Sequence, residues 1–254
     1  MRLDIIDLRD FYTGPLGRVV RRVVDRQVRL IWPDVSGLDL AGLGYAGPFL
    51  DMFRGEAARV INLMPAGQGV TRWPADGGNL TALVDETNLP LPDASVDRLL
   101  VVHCLEASEA VRPLLRQSWR VLSPIGRLLV ATPNRRGLWS RIDTTPFGHG
   151  RPYSRGQLNE LMRDAQFTPL RWSEALFMPP FGIKFMMRSW GAWENIGRRA
   201  WPAFSGLLLV EASKEIYALT GERKRLRLLR PVPAAAPLAR PVQTGAARDD
   251  GNVI

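Results

Sequence analysis

"DETNLPLPDASVDRLLVVHCLE", residues 85–106, and "LLRQSWRVLSPIGRLLVATPN", residues 114–134, decide the fold of this chain. The first carries an apolar run from Val96 to Glu106 that reads as a strand. The second continues a segment in which Val111, Leu115, Trp119 and Leu122 recur at helical spacing. Ser123-Pro124-Ile125-Gly126 then breaks it, with Pro second and Gly fourth as a type I turn prefers. Another apolar run, 126–134, follows as a strand. Strand, helix and strand at this spacing form the crossover unit of a parallel sheet.

The same alternation extends outward. Residues 36–44, 58–65 and 80–86 read as three earlier strands, and 167–177 and 206–217 as two later ones. Between the later two lies "MPPFGIKFMMRSWGAWENIGRRAWPAF", 178–204, whose Phe181, Phe185, Met186, Trp190 and Trp193 are too apolar for a free loop, so a lid-like insertion is expected. Ser154 with Gln157 three residues on makes a capping box for a helix whose buried stripe is Leu158, Leu161, Met162 and Ala165. Near the N-terminus, Val19, Val20, Val23, Val24 and Val28 alternate at helical spacing with Arg18, Arg21, Arg22, Arg26 and Arg29, which predicts an amphipathic helix over 16–31. Its basic face reads either as a solvated surface or as a surface for an acidic partner. The expected organisation is an N-terminal helical extension (1–35), an α/β domain (36–222) and an Arg/Pro/Ala-rich, largely disordered tail (223–254).

Composition narrows the function classes. At 254 residues and net charge +9, most of it from arginine, the chain suits one α/β domain with extensions. Arginine excess alone does not favour nucleic acid as a partner. A lone Cys104 excludes an internal disulfide, and two distant histidines with one cysteine make no metal-ligand set. "MRLDIIDLRD" has no continuous apolar core, so it is not read as a secretory signal, and no apolar run approaches the roughly 20 residues that span a bilayer. A soluble cytoplasmic protein is therefore expected. No nucleophile elbow and no Gly-Lys-Ser/Thr loop is present.

Residues 85–133 resemble the type 11 family of class I S-adenosylmethionine-dependent methyltransferases. In that family an acid precedes Leu-Pro, a Pro-Asp turn, an Asp-started strand, and a helix ending Arg-Val-Leu-x-Pro-Gly-Gly. Only Ile125 departs, in place of the first glycine. The stretch "PNRRGLWSRIDTTPFGHGRPYSRGQL", 133–158, is similar to a bacterial subset that brings no substrate with it. The resemblance implies a doubly wound, Rossmann-like, seven-stranded sheet, mostly parallel with an antiparallel edge hairpin. It also implies S-adenosyl-L-methionine as cofactor and methyl transfer, most readily to a small molecule.

Carried onto this sequence, the family pattern assigns the acid of the first strand to Asp39 and the small residues of its loop to Gly42, Gly44 and then Ala46 or Gly47, offset by one from the common register. Gly44→Val is then expected to remove binding while the fold stays intact. The carboxylate expected after the second strand is missing, and Asn62 or Gln68 is left to meet the ribose. Asp85, flanked by Glu86, matches the acid after the third strand. His103 follows the fourth strand and faces either cofactor or substrate, or else is a hydrogen-bonded core residue. His149, in "TPFGHGRPYS", and Tyr153 are substrate-side candidates. Arg135, Arg136 and Arg151 flank the same loop and suit an anionic substrate. Two other readings stay open. The missing acid and Ile125 motivate a degenerate fold serving as a regulatory or partner subunit, whereas the charge and the basic helix motivate an RNA or protein methyltransferase. A nicotinamide dehydrogenase would need the missing acid or an Arg beside it.

Overall fold

The computed structural model describes residues 3–180, 189–200 and 204–215. Among them run seven strands: β1 (Asp39–Gly44), β2 (Arg59–Pro65), β3 (Thr81–Val84), β4 (Val96–Val102), β5 (Leu122–Pro133), β6 (Phe167–Ala175) and β7 (Leu207–Lys214). They form one sheet in the order β3-β2-β1-β4-β5-β7-β6. The β1 to β5 pairings are parallel, and β7 is antiparallel to both β5 and β6. This is the doubly wound α/β sheet with an antiparallel edge pair. Strand order reverses at β1, between β2 and β4, which is where such sheets open a crevice at their C-terminal ends.

Two layers cover the sheet. On one face, α1 (Ile5–Thr13) and α2 (Pro15–Ile31) pack with a short helix α3 (Gly47–Leu50). The valines foreseen for 16–31 are all buried there. Part of the basic face serves the fold itself: Arg21 bonds Asp51 at 2.8 Å and Arg29 bonds Glu56 at 2.7 Å, so neither is left for an acidic partner. The opposite face is closed by α4 (Val111–Val121) and α5 (Arg155–Asp164), whose Ser154–Gln157 capping box forms as expected. A last helix, α6 (Trp190–Ala200), lies in the expected insertion, and Trp190 packs against the core. Phe181, Phe185 and Met186, the side chain of Trp193 and the tail from 223 lie outside the described residues.

Three local readings are corrected. β1 begins at Asp39 and runs on to Gly44, so its glycines sit inside the strand and the acid stands at its foot. The stripe buried by α4 is Leu114, Leu115, Ser118 and Val121, with Val111 and Trp119 on its flank. β5 starts at Leu122 rather than 126, because Val96 pairs with Leu122 before a register shift, and this strand takes the place of the expected turn. Ile125, the one departure from the family pattern, is 77% exposed, so the fold places no demand on its side chain.

Candidate active site

Gly44 closes β1 at φ +83°, and a Cβ there would lie 2.4 Å from the Val102 carbonyl oxygen and 2.7 Å from Cβ of Cys104. Glycine is therefore required by the backbone conformation and by the approach of β4. The turn that follows buries Tyr45 and Ala46. Inside β1, the absence of a side chain on Gly42 makes room for Asn62 of β2, since a Cβ would stand 2.6 Å from its Oδ1. Asn62 is fully buried, and neither of its amide atoms finds a partner among the described residues.

At the C-terminal end of β4, His103 adopts φ +51°, an uncommon conformation for a residue with a side chain. Both of its ring nitrogens are engaged. Nε2 lies 2.8 Å from the Tyr12 hydroxyl, and Nδ1 lies 3.1 Å from Oε1 of Glu106, both contacts buried. Burial, reinforced by Tyr45 and Glu106, drives the Tyr12 pKa well above its ordinary value. Tyr12 therefore stays protonated and donates to Nε2, which leaves Nδ1–H to donate to the carboxylate. Glu106 Oε2 accepts from Thr132 at 3.4 Å. The imidazole is thus oriented from both sides, an arrangement that fixes a tautomer.

His103 and Glu106 line a cavity of about 350 Å3 together with Gln68, Ser108, Glu109, His149 and Arg151, with Leu3 and Leu8 closing one side. The loop after β5 is tied onto this cavity. Arg151 N donates to the Glu106 carbonyl at 2.8 Å, and Gly150, at φ +78°, would place a Cβ 2.5 Å from that same oxygen. His149 Nε2 lies 2.7 Å from the Asp143 carbonyl oxygen, which can only accept, so Nε2 carries the hydrogen and the neutral ring keeps its lone pair on Nδ1. A much smaller space of about 10 Å3 is lined by Pro65, Gly67, Gln68, Glu86, Cys104, Ala107 and Ser108. Gln68, Ala107 and Ser108 line both. The Gln68 Nε2 donates to the His103 carbonyl, while its buried Oε1 has no partner among the described residues.

The structure brings Gln68, Glu86, His103 and His149 to these two adjoining spaces. Gly44 and Ala46 form the adjacent turn, and Asp85 follows β3 at the same end of the sheet. Asp85 is exposed, and its Oδ1 accepts from the Thr87 N–H at 2.8 Å and the Thr87 hydroxyl at 2.7 Å, contacts that hold its pKa below the usual carboxylate value. Asp39 is not brought there. It sits at the N-terminal end of the sheet, where Arg59 Nε donates to its Oδ1 at 2.7 Å and holds its carboxyl below the ordinary range. Tyr153 bridges Asn134 through the backbone and packs with the core of the second face, outside the cavity lining. Arg135 and Arg136 also stand apart from that lining. Glu106, Tyr12 and Tyr45 were not foreseen. "HCLE" offered the one available signal, a His and a Glu three apart just past a strand end.

S-adenosylmethionine would sit at this switch point. The residues present suit it in chemistry, through the side-chain Oε1 of Gln68, which has no partner among the described residues, and the Glu86 and Glu106 carboxylates, and the larger cavity has the size of a small-ligand site.

Residues 40–130 match the family described as a methyltransferase domain. A curated relative from Mycolicibacterium smegmatis, "Probable S-adenosylmethionine-dependent methyltransferase", is 40% identical over 81 residues, 31% of this chain and 31% of its own length. The chain thus matches about a third of that relative. Among solved structures, a methyltransferase of Thermotoga maritima described as a "possible histamine N-methyltransferase" superposes with TM-score 0.58 at 16% identity, covering 82% of this chain and 94% of that one. The 1,6-didemethyltoxoflavin-N1-methyltransferase of Burkholderia thailandensis, solved with its substrate and S-adenosylhomocysteine, gives TM-score 0.50 at 17% identity, with 82% of each chain covered. These structural likenesses establish the fold. Over residues 40–130 the chain is thus similar to S-adenosylmethionine-dependent methyltransferases. No helix among the described residues is long and apolar enough to cross a membrane.

Proposed function

We propose that this chain transfers a methyl group from S-adenosylmethionine to a small molecule held in the cavity between the end of β4 and the loop after β5. The observation that carries this reading is the cavity itself. It lies at the switch point of the sheet, measures about 350 Å3, and is bounded by Leu3 and Leu8 on one side and by His149 to Arg151 on another, dimensions that suit a small ligand rather than a polymer. The names of the two structural neighbours, one for a histamine and one for a toxoflavin precursor, agree with a small acceptor.

When bound, the cofactor supplies an electrophilic methyl group on a sulfonium. Gln68, Glu86 and the backbone of the Gly44–Ala46 turn would hold it, with Asp85 and Glu86 as the acids beyond β3. Carboxylates of Glu86, Glu106 and Glu109 around the two spaces favour a cationic sulfonium. On the substrate side, Arg151 and the lining of the loop orient the acceptor, and displacement needs chiefly that alignment. Where the acceptor must lose a proton, Nδ1 of His149 takes it. His103 has no lone pair free for that role while its Nδ1–H donates to Glu106 and its Nε2 accepts from Tyr12.

One observation favours a second reading, a fold that binds a partner without methyl transfer. Tyr12 stacks on Tyr45 with ring centroids 5.3 Å apart, so aromatic rings rather than a carboxylate stand beside the glycine turn. Thermal denaturation with S-adenosylhomocysteine separates the two. A hundredfold excess over Kd stabilises a one-site protein by about 2.7 kcal/mol, a rise of several degrees. The methyltransferase reading expects that rise in the wild type and its loss in Ala107→Phe, which fills both spaces. No rise in the wild type favours the second reading.

A further inference from the structure

We infer that α1 is a hinged lid that must lift as a unit before cofactor can reach the crevice, with Tyr12 and Ile5 as its latches. The inference rests on the proposed cofactor site. It starts from two spaces, a cavity of about 350 Å3 and one of about 10 Å3, whose linings share Gln68, Ala107 and Ser108; the smaller is far too tight for any part of a nucleoside-sized ligand. α1 holds the backbone of residues 68–69 in this arrangement. Ile5 N donates to the Gln68 carbonyl oxygen at 2.9 Å, and Ile5 Cγ2 lies 3.2 Å from where a Cβ on Gly69 would be. At the other end of the helix, the Tyr12 hydroxyl closes on Nε2 of His103 at 2.8 Å, and its ring lies between Tyr45, Phe49 and His103 at centroid distances of 5.3, 5.5 and 5.7 Å.

Both latches therefore grip the residues that border the crevice, 68–69 after β2 and 103 after β4. Between α1 and α2 stands a single residue, Gly14, in extended conformation (φ −70°, ψ 166°), followed by Pro15 at the start of α2. α2 is anchored independently through its valine stripe and through Arg21 and Arg29. A change of backbone angles at Gly14 thus swings α1 away while α2 stays anchored, at the cost of the Arg18 Nη1–Thr13 O bond at 2.9 Å and of the close packing of Gly17 against Phe11 and Tyr12. It frees the Gln68 backbone from Ile5, leaving its side chain held by the His103 carbonyl alone, and exposes Nε2 of His103 to the cavity, so that a shift of the 68–69 backbone can widen the smaller space.

A cross-link tests this directly. The Cβ of Ile5 lies 3.8 Å from a Cβ built on Gly69, within the range a disulfide needs, and the native Cys104 is buried at 1% exposure. In the full chain carrying Ile5→Cys and Gly69→Cys, titration with S-adenosylhomocysteine should show binding in the reduced protein and at least a tenfold loss in the oxidised protein, restored by dithiothreitol. Equal affinity in the two forms would overturn the lid. Because oxidised and reduced samples share one polypeptide, any strain from Cys at the left-handed position 69 is common to both. A ligand-free measurement separates this inference from the reading it rests on. Tyr12→Phe removes one hydrogen bond and keeps the ring, so amide exchange across residues 5–13 should accelerate roughly five- to tenfold, with the 19–28 segment of α2 unchanged. Unchanged exchange in 5–13 overturns the latch whatever the titration shows, whereas faster exchange with no binding by the wild type retires the cofactor site and, with it, the lid's role there.

Discussion

Arg59 grips Asp39 at the foot of the sheet, Nε to Oδ1 at 2.7 Å, at the opposite end of β1 from Gly44 and the cavity. The carboxylate that the family pattern assigns to the cofactor is thereby spent on a pair between the first residues of two neighbouring strands, Asp39 opposite Arg59. Asp39→Asn should leave S-adenosylhomocysteine affinity unchanged within twofold. It should cost less than about 1 kcal/mol of stability, because Arg59 is largely exposed. Calorimetric titration alongside urea denaturation checks both. A tenfold loss of affinity would return Asp39 to the site.

That misplacement shows where sequence reading stops. "LDLAGLG" places an acid ahead of glycines, which suggests a strand ending at the acid. The strand continues because Gly42 and Gly44 are packing residues, one making room for Asn62 and the other passing under Val102. The valine stripe of α2 and the Ser154–Gln157 cap were legible because each follows from short-range periodicity or capping chemistry, whereas the doubly wound sheet with its antiparallel edge pair came through the family resemblance. Gln68, Glu86, His103 and His149 could be picked out because they fall just past strand ends or in the Gly/Pro-rich loop, and the structure places them in the lining of the two spaces. The Tyr12–His103 bond was not. It joins residues 91 apart, and no local pattern signals which side of the sheet an N-terminal helix will cover.

Gly44→Val should act on the fold before it acts on any ligand, contrary to the expectation of an intact fold with lost binding. A β-branched residue at φ +83°, with its Cβ 2.4 Å from a carbonyl oxygen, forces β1 and β4 apart. A loss of several kcal/mol, more than the 1–2 kcal/mol of the left-handed conformation alone, is expected in chemical denaturation. A variant with wild-type stability would show that the strands do not approach so closely.

Glu106→Gln should destabilise the protein by about 1–3 kcal/mol, because it replaces a buried acceptor that takes hydrogen bonds from both His103 and Thr132. Methyl transfer, once an acceptor is known, should fall with it. Denaturation at matched pH checks the first part. An unchanged midpoint would mean that the His103 ring is oriented by Tyr12 alone.

Asp25 gives the pH dependence. Burial, opposed only in part by Arg21, raises its pKa to about 6 from an ordinary 3.8, and its Oδ1 has no partner among the described residues. The folded protein thus holds a proton that the unfolded chain releases, so this contribution to stability is complete below about pH 4, declines as pH rises towards 6, and is absent above it. Its span is at most about 3 kcal/mol. Asp25→Asn should flatten the slope between pH 4 and 6 and raise stability at pH 8. Urea midpoints at three pH values decide it, and a wild-type slope of the opposite sign would contradict the burial.

The central claim is that the switch-point crevice takes S-adenosylmethionine despite lacking an acid at the end of β1 and β2. Isothermal titration of the full chain with S-adenosylhomocysteine at pH 7.5 tests it most directly. One site per chain, lost in Ala107→Phe and retained in Asp39→Asn, is the expected result, and no heat from the wild type at millimolar ligand would contradict it.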